Sequence, residues 1–234
     1  MHPVLYARSK EERKMIFSEK LMSQRIGYAN LNIAADSWLY EHEVDPGNPF
    51  PFTDPDATHE MVRAHHHDLG IDWSYGGWME NRDVIRRGTY LEKNELWLHT
   101  GIDLNVEAGT QVLSVADSDV VYVGDDTPLV GGWGKHVIAV FLLNWKKHAL
   151  LYAHLGETPY LCNWYAPAGT LIGSVGTKKQ NGFWRPHLHL QLFADIDDVT
   201  DWEKFSRDMD GYVKPADRAL WVRKCPDPTP LIFR

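Results

Sequence analysis

Three short segments of this chain carry residue types that can hold a metal or move a proton. The segment PHLHLQLF, residues 186–193, sets His187 and His189 two apart. On a strand, residues i and i+2 share a face, so both imidazoles project to one side while Leu188, Leu190 and Leu192 enter an apolar layer on the other. Two imidazoles held side by side suit a metal, or one ligand beside a catalytic base; the plain alternative is a pair of exposed polar strand residues. The segment LHTGIDL, residues 98–104, sets His99 and Asp103 four apart. Gly101, with β-branched Thr100 and Ile102, argues against a helix there, so this pair too shares a strand face, and Gly101 leaves room for a close approach. In LLYAHLG, residues 150–156, an apolar run ends in His154, a setting in which a histidine is ordinarily a satisfied core residue. Together, an imidazole, a carboxylate and a second imidazole form a three-ligand set with one position open, as catalytic zinc sites do. His and Asp donors also accept other divalent ions. No thiolate is needed, and the chain has only two cysteines, Cys162 and Cys225.

Positioning these groups requires a rigid β scaffold, and the sequence reads as one from about residue 90. The short apolar runs LWLH, QVLSVA, VVYVG, HVIAVFLL, HALLYAHL, TLIGSVG and HLHLQLF alternate with Gly, Asp and Pro breaks, the grammar of a sandwich or barrel. Ahead of them, residues 9–43 predict a helix capped by Ser9 with Glu12 completing a capping box, and Gly27 ending or interrupting it. The Pro-rich stretch 44–57 predicts a loop, and 58–69 a short helix. The expected division is a helical extension over 1–74 and a β domain with a C-terminal tail over 75–234. HEMVR at 59–63 opens like a zincin helix but has Arg63 where the second ligand belongs. The triple histidine at 65–67 predicts a solvated helix end, His136 a structural or rim role, Tyr152 a packing role, and Cys225 a buried thiol.

Composition narrows the partners. With 234 residues, 44% hydrophobic and 24% charged, the chain is long enough to bury a real core. A net charge of -8 and the lack of a dense Lys/Arg stripe argue against a nucleic-acid partner. No run of about 18 apolar residues predicts a membrane span, and no apolar leader core stands at the N-terminus. A cytoplasmic protein with a peptide or small amide as its partner is the expectation; oligomeric state is open.

In order along the chain, HTGIDL, AGTQVLSVADSDVVYVG, LLYAHL and PHLHLQL resemble the lysostaphin/LytM-type zinc metallopeptidases over roughly residues 75–195. The resemblance implies a compact antiparallel β-sandwich or barrel of the duplicated-hybrid-motif kind, with a groove across the metal site. It further implies His99, Asp103 and His189 as ligands of zinc, and His154 and His187 as catalytic residues that are not ligands. Outside that core, YGGWMENRDVIRRGTYL (75–91), KKQNGFWRPHLHLQLF (178–193) and LWVRKCPDP (220–228) are similar to the LytM-type domain of cytosolic multidomain proteins that also carry kinase-like and class III aminotransferase domains. Two departures stand out: Leu190 replaces a common Phe after the HLH, and QNGFWRP replaces the usual Gly-rich turn before it. The latter sets Trp184 and Arg185 at the groove mouth and argues against peptidoglycan as substrate.

The implied reaction is zinc-dependent hydrolysis of an amide or peptide bond, with activated water as nucleophile and the two remaining histidines as acid/base and oxyanion stabilisers. In some relatives a preceding segment supplies a further ligand that keeps the site latent; Glu80 and Asn81 are the candidates. A LytM-type regulatory or binding module, metal-containing or inactive, is the alternative of a different class. A sugar-phosphotransfer domain of related architecture ranks below it, since it does not call for Asp103.

Overall fold

The structure, a computed structural model, describes residues 15–44, 50–159 and 162–233. The first helices are short and specifically started. α1 (Glu19–Met22) is capped by Ser18, and β1 (Ile26–Tyr28) follows it. α2 (Leu31–Glu41) starts at Asn30, whose side chain accepts from the amides of Asn32 and Ile33. The expected single helix over 9–43 is thus broken in two, with Gly27 in a strand where an added Cβ would meet Ile71 Cδ1 at 2.8 Å; Ser9 and Glu12 lie outside the described residues. α3 (Pro55–Leu69) begins earlier than expected because Asp54 caps it and Pro55 takes its first position, where no amide is needed. Gly70, at φ 65°, ends it in the left-handed region.

β2 (Trp73–Gly76) and α4 (Tyr90–Lys93) lead into the strands β3 (Leu98–His99), β4 (Ile102–Asn105), β5 (Gln111–Leu113), β6 (Ser118–Asp125), β7 (Lys135–Leu143), β8 (Lys146–Glu157), β9 (Trp164–Ala166), β10 (Leu171–Val175) and β11 (Leu188–Phe193). Then come α5 (Trp202–Asp208), β12 (Tyr212–Val213) and α6 (Arg218–Lys224). Ten strands form one sheet in the order β1-β2-β4-β11-β8-β7-β6-β9, with β10 joining β8 and β5; β12 and β3 form a separate pair. Every pairing is antiparallel except β1 with β2. The expected mainly-β architecture preceded by helices is what the chain adopts.

Along β8, Leu150 and Tyr152 enter one apolar cluster and Ala149, Leu151 and Ala153 the other, the period-2 pattern of a strand covered on both faces. The larger cluster also contains Ile16, Phe17 and Trp73, with Phe17 edge-on to Trp73 at 5.4 Å. The expected boundary between residues 74 and 75 falls inside β2, whose partners are β1 on one side and β4 on the other. A third cluster packs α2 and α3 over Phe52 and Ile85.

Candidate metal centre

β4 and β11 are hydrogen-bonded neighbours, and their register sets His189 opposite Asp103. β3 stops at His99, the chain kinks through Thr100 and Gly101, and β4 resumes at Ile102. The kink brings His99 back over the same face. A Cβ at Gly101 would stand 2.7 Å from His189 Nε2 and from the Leu190 carbonyl oxygen, so only glycine permits this approach. The result is a tight triangle: His99 Nε2 to His189 Nδ1, 3.0 Å; His189 Nδ1 to Asp103 Oδ1, 3.3 Å; His99 Nε2 to Asp103 Oδ1, 3.4 Å. All three residues are buried.

Hydrogen bonds behind the triangle fix which ring nitrogens carry protons. A carbonyl oxygen can only accept, so His99 Nδ1–H donates to the Gly77 carbonyl at 3.2 Å, leaving Nε2 bare. His189 Nε2–H donates to Gln191 Oε1 at 2.9 Å, leaving Nδ1 bare. Gln191 is itself oriented by donating from Nε2 to the Asp210 carbonyl and to Cys225 Sγ. Asp103 Oδ2 accepts from Arg82 Nη1 at 2.6 Å, which turns Oδ1 toward the two imidazoles. Burial pushes the Asp103 carboxyl up, but Arg82, His99, His187 and His189 together outweigh it and hold it well below the usual carboxylate range. Burial, with Arg82 adding to it, holds His99 well below the usual imidazole range.

Two unprotonated nitrogens and a carboxylate oxygen therefore face one another with no hydrogen between them. Tetrahedral zinc with ligand bonds of roughly 2.0–2.1 Å has ligand atoms about 3.3–3.4 Å apart. The donor set fits that ion in chemistry, in spacing and in its outer hydrogen bonds.

His187 and His154 stand beside the triangle. His187 Nδ1–H donates to the Arg185 carbonyl at 2.7 Å, and its Nε2 is 3.5 Å from Asp103 Oδ1. His154 Nδ1–H donates to the Asn181 carbonyl at 3.0 Å. Their rings are 4.5 Å apart, and each keeps a bare Nε2. His154 has φ 66°, left-handed backbone that is uncommon outside glycine but that histidine adopts more readily than most, at a register shift between β7 and β8. This bulge turns its side chain out of the strand alternation and toward the centre. Burial, then the neighbouring His189, takes His154 down to about 3; burial likewise holds His187 well below its ordinary value.

Several sequence expectations are refined here. Tyr152 is a packing residue whose hydroxyl accepts from the Val115 amide. His136 is structural, donating to Gly134 and accepting from Ser206. Cys225 is buried. Arg185 is not at a groove mouth: it is buried, donates to Asn105 Oδ1 at 2.6 Å and stands 3.6 Å from Asp103 Oδ2. Neither latency candidate joins the triangle: Glu80 accepts from Arg82 Nε, and Asn81 caps the amide of Asp83. His59 of the decoy motif pairs with Glu107. Of the triple histidine only His67 is exposed; His65 and His66 are half-buried, and His66 Nε2 meets Ser74 Oγ of β2 at 2.7 Å. Arg82, Arg86, Tyr212, Trp133 and Gln191 carried no sequence signal, because each acts through contacts that the fold alone creates. Trp133 covers the centre, its ring 5.2 Å from His189, and Trp184 stands 6.0 Å from His154.

Among the described residues no helix is long and apolar enough to cross a membrane. No curated protein matches the chain. Among solved structures it is similar to a Pseudomonas aeruginosa protein named for peptidase M23, at 26% identity over 40% of this chain and 37% of that one, TM-score 0.34. It is also similar to the catalytic domain of the antimicrobial peptidase lysostaphin from Staphylococcus simulans, at 23% identity over 48% and 81%, TM-score 0.36. A zinc-containing peptidase from Vibrio cholerae matches at 22% identity over 41% and 27%, TM-score 0.35. The chain thus spans well under half the length of the first of these. Residues 98–200, the stretch that carries His99, Asp103, His154, His187 and His189, match the model of Peptidase family M23.

Proposed function

We propose that the chain is a zinc-dependent hydrolase of amide or peptide bonds, in which His99, Asp103 and His189 hold the metal and His154 and His187 handle protons. The observation that carries this reading is the triangle of bare donor atoms at 3.0–3.4 Å. Without a cation, lone pairs oppose one another across it. The family match over residues 98–200 supports the same reading.

Zinc held there by His99, Asp103 and His189 would supply a Lewis acid, able to polarise a scissile carbonyl and to lower the pKa of water. The chain's own residues do the rest. Arg82 holds Asp103 ionised and aimed. His154 and His187, neutral by burial, offer two adjacent Nε2 atoms; the one that accepts the proton of the nucleophile is thereby protonated, and that same proton passes on to the departing amine, directly or by way of its neighbour. Trp133 and Trp184, both half-buried, stand beside the centre and limit the access of bulk water to it. That enclosure, with the buried Arg185, supports a substrate other than peptidoglycan. A cytoplasmic location belongs to the same proposal, with two unpaired cysteines in agreement. So does kinship with LytM-type domains found beside kinase-like and class III aminotransferase domains.

Elemental analysis of untagged protein tests the reading. About one zinc per chain is expected in the wild type, with loss in His189→Ala. His154→Ala and His187→Ala are expected to keep the metal and lose roughly 10²–10⁴ in turnover on a small amide substrate. Wild-type protein that stays metal-free when zinc is supplied would defeat the proposal.

A further inference from the structure

The centre is surrounded by more positive charge than it can neutralise. Three guanidiniums, of Arg82, Arg86 and Arg185, are buried around it, against two carboxylates, Asp103 and Glu80. Arg82 takes both carboxylates, at 2.6 Å and 2.9 Å. Arg185 shares Asp103 at 3.6 Å. Arg86 is different. It is 6% exposed, and among the described residues no carboxylate lies within 4.0 Å of it. Its Nε and Nη2 donate to the Tyr212 hydroxyl at 2.9 Å and 2.7 Å, an acceptor that Arg82 Nη1 also uses at 3.1 Å.

Arg86 is also well placed. Its Cζ lies 4.6 Å from the Trp184 ring centroid and 5.3 Å from that of Tyr212. Both rings stand beside the centre, Trp184 at 6.0 Å from His154 and Tyr212 at 5.0 Å from His99. Arg86 therefore touches one ring that neighbours a proton-handling histidine and another that neighbours a metal-binding one. Three guanidiniums less two carboxylates leave one uncompensated positive charge, before any metal adds two more. Buried charge of one sign is costly unless an anion joins it.

We infer that Arg86 is the receptor for a carboxylate on the substrate. The substrate class is then an N-acyl amino acid or short peptide whose free carboxylate pairs with the Arg86 guanidinium while its amide lies at the metal triangle. Tyr212 takes the Nε–Nη2 side of the guanidinium, and the Nη1–Nη2 side is the edge that would meet the carboxylate; one surplus charge matches a monoanion. The enclosure of the centre agrees, since a buried site takes the end of a small molecule rather than the interior of a polymer. This inference rests on the hydrolase reading above.

Calorimetric titration of the zinc-loaded full chain with N-acetylglycylglycine and with its C-terminal amide tests it, zinc content being measured on every sample. The carboxylate probe should bind on the order of 10–100-fold more tightly than the amide. Arg86→Gln should abolish that preference, and Arg86→Lys should keep a fraction of it. Equal binding of both probes, or no binding of either, by zinc-loaded wild type overturns the inference and leaves the hydrolase reading standing. An undiminished preference in Arg86→Gln also overturns it, because the carboxylate would then be binding the metal alone. If Arg86→Gln shows no cooperative thermal transition, Arg86→Lys decides: an unchanged preference refutes the role. Wild type that takes up no zinc refutes the hydrolase reading itself.

Discussion

Each histidine of the centre owes its role to one hydrogen bond on the far side of its ring. His189 illustrates the dependence. Gln191, two residues on along β11 and on the same face, accepts from His189 Nε2–H and so bares Nδ1 toward the triangle. Replacing Gln191 by Ala removes that acceptor and frees the ring to adopt the other tautomer. Metal affinity is expected to fall about 10–100-fold, the usual cost of losing such a partner, as read by competition with a chromophoric chelator. Unchanged affinity would mean that strand geometry alone orients the ring. Gly77 shows the same economy of space: a Cβ there would stand 2.6 Å from His99 Nδ1, so the carbonyl that holds His99 can be presented only by glycine.

At the scale of elements, the helices ahead of the sheet are tied into it rather than appended. Leu113 of β5 donates its amide to the Ile16 carbonyl, and Ile16 and Phe17 are fully buried in the main core. A polar chain runs inward from α3: His66 Nε2 accepts from Ser74 Oγ, which accepts from Asn105 Nδ2 at 2.7 Å, and Asn105 Oδ1 accepts from Arg185 beside Asp103. Lys178, in the loop before β11, pairs with Asp56 of α3. Deleting residues 1–70 is therefore expected to lower the melting temperature by tens of degrees or to abolish cooperative unfolding, because burial of Phe17 and Ile16 alone contributes roughly 1.5–3 kcal/mol per side chain. Thermal unfolding followed by circular dichroism checks this. A truncated chain that melts where the full chain melts would mark the extension as a separate unit.

For the whole molecule, the set of buried neutral histidines predicts an acid-sensitive metal-free fold. Burial lowers His99 and His187 well below their ordinary value, His154 to about 3 and His66 to about 4. In the unfolded chain each titrates near 6.5. The folded state thus binds fewer protons than the unfolded one below that pH. Stability is full above about pH 6.5 and falls as pH drops toward the folded values. His154 alone is expected to cost about 2 kcal/mol at pH 5. Urea midpoints of metal-free protein at pH 7.5 and pH 5 should differ in that direction, and His154→Gln should narrow the difference. Equal midpoints would mean that protons reach these rings without unfolding. The window lies above the range where Asp103, held low by Arg82, begins to titrate.

The sequence by itself determined the β character of the chain from about residue 90 to 193 and the two local pairs, His99 with Asp103 and His187 with His189, from which the triangle is built. Period-2 alternation puts His187 and His189 on one face, and Gly101 between His99 and Asp103 permits the approach; both are local properties of the chain, written in neighbours two to four residues apart. The early helices were less legible. Asn30 and Asp54 as caps, and Gly27 against Ile71, reset the boundaries through contacts tens of residues away or through capping choices that periodicity does not reveal. Only the tertiary structure decided what surrounds the triangle. Arg82 and Arg86 reach Tyr212 from more than 120 residues before it, and β12 delivers that tyrosine by pairing with β3. Charge compensation in a buried site depends on distance in space. No spacing along the chain could have told that Arg82 is neutralised and Arg86 is not.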